Sequence, residues 1–187
     1  PGPPRLAAGR PAAPRAVSPH VSLLTGQQGG RIACQQLPRS TAVTANIDIA
    51  SFADITRVHA AERPNAVALV YQGRETTYRE LDERASRVAN GLIAAGLQPQ
   101  ARIAYLDKNS DRFFEVLFGA AKANDVMVAV NWRLAPPEVA YVINDAMAEV
   151  VFVGQDFFPV IEKVLPELRT VKKVIAIDAP RDGWEYY

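Results

Sequence analysis

The sequence predicts an α/β protein built on a mostly parallel sheet flanked by helices. Three observations carry that expectation. From Phe52 onward, helical and strand patterns alternate without interruption. The strand candidates include short, continuous apolar runs such as VMVAV at 126–130, as expected for strands covered on both faces rather than one. The intervening segments are amphipathic and carry helix start and stop signals, so each can serve as a crossover between parallel strands.

Residues 1–47 stand apart as a predicted disordered tail rich in Pro, Ala, Gly and Arg. The first forty residues hold seven of the fourteen prolines and five of the eleven glycines, with no aromatic residue to seed a core. Acid-poor, arginine-rich composition is shared with organelle-targeting leaders, but the prolines break the amphipathic helix such a leader needs. A partial chain, a processed terminus and translated upstream sequence are the other readings of this tail.

Residues 48–187 hold the predicted domain. Phe52, Ile55, Val58 and His59 share one face of a short helix stopped by Pro64. Residues 67–71 run to a Gln72-Gly73 turn and return through 75–77, a small hairpin. Thr77 and Glu80 have capping-box spacing, which starts a helix whose apolar face is Leu81, Ala85, Val88, Ala89 and Leu92 and which Gly96 ends in a left-handed residue. A strand at 102–106, a helix at 110–123 apolar nearly all round, and the strand at 126–130 come next. Beyond them lie a helix at 136–146 with two prolines in its first turn, a strand at 150–153, a helix at 157–165 and a strand at 171–177.

Composition excludes several classes of function. The tail carries five arginines and no acid, leaving 16 basic and 20 acidic residues in the rest, a net −4 that argues against nucleic acid as a partner. No apolar run approaches the roughly 18–20 residues of a transmembrane helix, so membrane contact is expected to be peripheral at most. One cysteine, Cys34, and two histidines, His20 and His59, are too few for a zinc cluster or an internal disulfide.

Parallel α/β sheets bind ligands outside the carboxyl ends of their strands. No G-x-G-x-x-G, G-x-x-x-x-G-K-[ST] or G-x-S-x-G loop lies there. Two polar loops do: Asp107-Lys108-Asn109 and Asn131-Trp132-Arg133. The plain reading of both is structural. Asn109 or Ser110 suits a helix cap, Asn131 suits a turn, and Arg133 can stack on Trp132. The ligand reading makes Asn131 and Arg133 candidate substrate-cleft residues. Acids on helix faces, such as Asp82, Glu83 and Glu115, read as solvated positions.

The segments ERPNAVALVYQGRETTYRELDERASRVANGLIAAGL and AYLDKNSDRFFEVLFGAAKANDVMVAVNWRLAPPEVAYVIND resemble the amino-terminal part of AMP-forming acyl-CoA synthetases, fatty-acyl-CoA ligase-like members of the adenylate-forming superfamily. The resemblance spans Phe52 to Ile177. It implies the large domain of an enzyme that uses ATP and Mg²⁺ to convert a carboxylic acid, such as a fatty acid, to an acyl-adenylate, and then transfers the acyl group to coenzyme A. It also implies a cytoplasmic or membrane-peripheral location.

The family's phosphate loop, its aromatic-x-x-Thr-Glu segment, its ribose-binding aspartate and the lysine of its small carboxy-terminal domain have no counterpart in this sequence. The expectation is therefore a partial domain, inactive alone, with no catalytic, cofactor or metal site of its own and an exposed apolar patch where the remainder would pack. Asn124-Asp125, Ala129 and Gln100-Ala101 depart from the family pattern, and all three lie at turns or strand ends. The alternative is a truncated, non-catalytic module that binds acyl chains or a partner through the bare sheet face.

Overall fold

The structure, a computed structural model, describes residues 49–187. The tail predicted at 1–47 lies outside these residues. Helix α1 (Asp54–Glu62) leads into a hairpin of β1 (Val67–Tyr71) and β2 (Arg74–Thr77), followed by α2 (Tyr78–Ala94). The rest is β3 (Arg102–Leu106), α3 (Asp111–Ala123), β4 (Val126–Ala129), α4 (Pro136–Asp145), β5 (Val150–Gly154), α5 (Phe158–Val164), β6 (Lys173–Ile177) and β7 (Glu185–Tyr186). The sheet is parallel throughout, in the order β4-β3-β5-β6-β7.

Local chemistry sets most boundaries. At α2 the Thr77 hydroxyl accepts the Glu80 amide at 3.3 Å while the Glu80 carboxylate accepts the Thr77 amide at 2.8 Å, so two otherwise orphan donors are satisfied reciprocally. Ser110 caps α3 by accepting the Phe113 amide. That helix ends on Asn124 at φ 61°, a left-handed conformation asparagine tolerates better than most residues. Gln72 and Gly73, both at positive φ, close the hairpin. At α4 the Glu138 carboxylate accepts the Ala135 amide at 2.8 Å, but alanine has no oxygen to return the bond, so the box is half made. The prolines at its start lack the amide hydrogens the first turn could not use.

The core forms two layers on opposite faces of the sheet. One packs α4 and α5, through Val139, Ile143, Phe158 and Ile161, against Leu106, Val151 and Val153. The other packs α2 and α3, through Leu92, Val116 and Ala120, against Ile103, Tyr105 and Phe152. Helices α2 and α3 meet closely because Gly119 lets the Val88 side chain approach: a Cβ at that glycine would lie 2.6 Å from Val88.

Three expectations shift. The run at 126–130 is an edge strand, with Val126 and Ala129 exposed, because no strand among the described residues pairs with its outer side. The strand expected at 171–177 pairs only from Lys173, and its partner β7 carries no apolar run that would announce it. Glu115, expected on the solvated side of α3, is 1% exposed. It is buried because Arg84, Arg112 and Tyr187 surround it with donors.

Candidate functional site

The chain leaves β3 toward β4 on one side and returns to β5 on the other, so the order reverses between β3 and β5. Crevices at such reversals, beyond the carboxyl ends of the strands, are where open α/β sheets bind ligands. A cavity of about 580 Å³ lies there, lined by Asp107 and Lys108 after β3, Gln155 and Asp156 after β5, Asp178 after β6, and Tyr71 from the hairpin.

Gly154 makes the crevice possible. A Cβ there would meet the Asp107 carboxylate at 2.2 Å, so this carboxylate lies against the β5 backbone. Burial pushes the Asp107 carboxyl above its ordinary value, and the neighbouring Asp178 and Asp156 charges add to the effect. The Lys108 ammonium binds Asp156 at 2.8 Å, and that bond raises the lysine above its ordinary value. Tyr105 is buried beneath, its hydroxyl 3.4 Å from Ser110 and its acidity suppressed by burial.

Asn131 and Arg133 stand beside this crevice rather than in it. Both are exposed after β4, and the Asn131 side-chain oxygen Oδ1 accepts the Arg133 backbone amide at 3.0 Å, a local turn bond. The Arg133 guanidinium stacks on Trp132 with its central carbon 3.9 Å from the ring centroid. The Lys108 ammonium is 5.8 Å from the same ring, which itself leans on Phe157. Trp132 thus joins the two loops picked out in the sequence. Asn109 is exposed and Ser110, not Asn109, caps the helix.

The crevice suits a polar ligand but not nucleotide phosphates. Asp107, Asp111, Asp156 and Asp178 outnumber Lys108 and Arg74, so a polyanion would be repelled. Among the described residues no three His, Cys, Asp or Glu side chains are grouped to hold a metal ion. ATP and Mg²⁺ therefore find no fitting donor set in this crevice.

Sequence reasoning missed the buried ionic cluster on the α2/α3 face. Glu115 accepts hydrogen bonds from Arg84 at 3.1 Å, Arg112 at 2.9 Å and the Tyr187 hydroxyl at 2.6 Å. Buried Asp111 accepts from Arg74 at 2.9 Å, tying the hairpin to α3. One signal was available: a carboxylate in a helix otherwise apolar nearly all round. Near this cluster a second cavity of about 670 Å³ opens over β5, β6 and β7. No helix of the described residues is long and apolar enough to cross a membrane.

Comparison with known proteins gives this geometry its relatives. A fatty acid–[acyl-carrier-protein] ligase, ScoC of Streptomyces coeruleorubidus, is 43% identical over 109 residues, 58% of this chain and 21% of that protein. The inhibitor-bound N-terminal domain of FACL13 from Mycobacterium tuberculosis superposes with a TM-score of 0.65 at 32% identity, covering 67% of this chain and 33% of that one. An anthranilate CoA ligase, AuaEII, solved with anthranoyl-AMP, gives a TM-score of 0.69 at 29% identity over 72% of this chain and 26% of its own. The chain spans about a fifth of the length of the curated relatives it matches. Residues 56–186 match the family described as AMP-binding enzyme, and the chain belongs to that family.

Proposed function

We propose that this chain is the amino-terminal scaffold of an ATP-dependent, AMP-forming acyl-CoA ligase. The intact enzyme would activate a carboxylic acid, such as a fatty acid, to an acyl-adenylate with release of pyrophosphate, and then form a thioester with coenzyme A. The family match across residues 56–186 carries this reading, and relatives named as ligases of fatty and aromatic acids support it. ATP, Mg²⁺ and coenzyme A belong to the intact enzyme in this reading, and no step is assigned to residues of this chain.

Residues 48–187 are then a partial adenylation domain without a phosphate loop, in a cytoplasmic or membrane-peripheral protein. Asn131 and Arg133 border the acyl or nucleotide cleft of the intact enzyme, where a stacked guanidinium keeps its in-plane donors open to a carboxylate or phosphate. The 187-residue chain alone is expected to release no pyrophosphate from ATP and Mg²⁺ with any of a series of fatty and aromatic acids. Acid-dependent turnover by the purified chain would overturn the scaffold reading.

A second reading is a non-catalytic module that binds an acyl chain or a partner through the sheet face, favoured by the cavity over β5 to β7. Saturable fatty-acid binding by a chain without pyrophosphate release would favour it.

A further inference from the structure

Strand β4 leaves one edge of the sheet open. The Val126 and Val130 amides donate to the Ala101 and Tyr105 carbonyls on the β3 side. Alternation then aims the amide and carbonyl of Met127 and Ala129 outward, where no strand among the described residues pairs with them. Natural sheets usually block such an edge with a charge, a proline or a bulge. The run 126–130, Val-Met-Val-Ala-Val, has no charge and no proline, and its register with β3 is unbroken. The opposite edge offers no comparable template, because β7 is only two residues long.

We infer that the β4 edge is a homodimer interface, in which two copies of this chain pair β4 with β4, antiparallel, across a two-fold axis perpendicular to the sheet. The strand's own symmetry favours a second copy over other occupants. With Val128 on the axis, Met127 of each copy faces the partner's Ala129. These are the residues whose polar groups point outward, so each facing pair exchanges two hydrogen bonds. The axis also keeps like faces of the sheet together, and exposed Val126 comes to lie beside the partner's Val130. Because the run is uncharged, self-pairing sets no like charges opposite each other. Its flanks carry opposite signs, half-buried Asp125 before it and exposed Arg133 after it, so antiparallel copies bring each acid to the partner's cationic end. Arg133 stacks on Trp132 and has no carboxylate partner within its own copy among the described residues. Such an isologous contact closes at two copies. The inference concerns the sheet edge and is independent of the reaction proposed above.

Sedimentation velocity of the 187-residue chain over a concentration series tests the pairing. A monomer–dimer equilibrium is expected at about 1–100 μM, since a single strand pair is a small interface. Ala129→Pro deletes an outward amide without removing a bond inside the monomer, and edge strands tolerate proline. By symmetry it removes two of the four bonds between copies and should weaken dimerisation about tenfold or more. Ala129→Val keeps the amide and should dimerise like the parent. Exchange of the Met127 and Ala129 amides, fast in the dilute monomer, should slow as the dimer fills. Register is read with single-cysteine chains that carry Cys34→Ser. In Val128→Cys the two thiols at position 128 face each other across the axis, with Cα atoms about 4.5 Å apart, and diamide should oxidise them to an intermolecular disulfide. In Met127→Cys the thiols lie on a diagonal and should cross-link far more slowly. This comparison stays decisive even if the proline variant fails to fold. A chain that is monomeric throughout the series, a dimer that folded Ala129→Pro leaves intact, or cross-linking at 127 as fast as at 128 would each overturn the inference.

Discussion

Glu115 shows how a single side chain can be read correctly in kind and wrongly in place. Its flanks, Phe113, Phe114, Val116 and Phe118, announce a buried helix, and an acid among such residues must either face water or be paired. One partner, Arg112, lies three residues before it on the same helix, but the other two lie 31 residues before it and 72 after it, beyond any local pattern. Removing the carboxylate in Glu115→Ala leaves two guanidinium groups and a phenol without their acceptor. The expected loss is about 3 kcal/mol, the lower end for breaking a buried ion pair, because Arg84 and Arg112 stay about a third exposed. Urea denaturation measures it, and a loss under 1 kcal/mol would show the cluster to be ornamental.

Asp107 gives a pH-dependent counterpart. Its carboxyl sits above the ordinary value of 3.8 because burial and two neighbouring acids disfavour its charge. The folded state therefore holds this proton more tightly than the unfolded state, and stability from the site is complete below 3.8 and lost as pH rises through the folded value. Asp107→Asn keeps the oxygen that accepts the Lys108 amide and removes the charge. The variant should melt higher than the parent at pH 7 and equally at pH 3. A difference that persists at pH 3 would mean that the gain is not electrostatic.

Among elements, α2 and α3 were recognisable in detail from their own residues: a capping box, an apolar stripe and a left-handed end each follow from neighbours a few positions apart. Their closeness was not. Gly119 reads in sequence as a weak point in a helix, yet its missing Cβ admits Val88 and the backbone oxygen of Ala85. Gly119→Ala therefore pushes the helices apart, at an expected cost of about 1–3 kcal/mol despite alanine's better helix propensity. Thermal unfolding of that variant beside Gly91→Ala, where open space surrounds the added methyl, separates packing from propensity. If both alanines stabilise, the close contact is not constraining. Asn131 and Arg133 were equally visible as a polar pair after an apolar run, but the sequence could not say that Trp132 would bring Lys108 beside them.

For the whole molecule, strand order decides which parts open last. β3 and β5 are paired on both sides and packed on both faces, whereas β4 and the two-residue β7 lie at the edges. Native-state hydrogen exchange should find its slowest amides in β3 and β5, with the β1–β2 hairpin and β4 faster. Comparable protection of β4 would place another strand or partner on its outer edge.

The sequence by itself determined the alternation of helices and strands, the caps and turns that bound them, and the family likeness, because each of these depends on residues close together along the chain. The tertiary structure alone decided the strand order, the crevice where that order reverses, the burial of Glu115 and the cavity over β5, β6 and β7. Those features arise from contacts between segments tens of residues apart, whose free energy is realised only when the sheet has assembled.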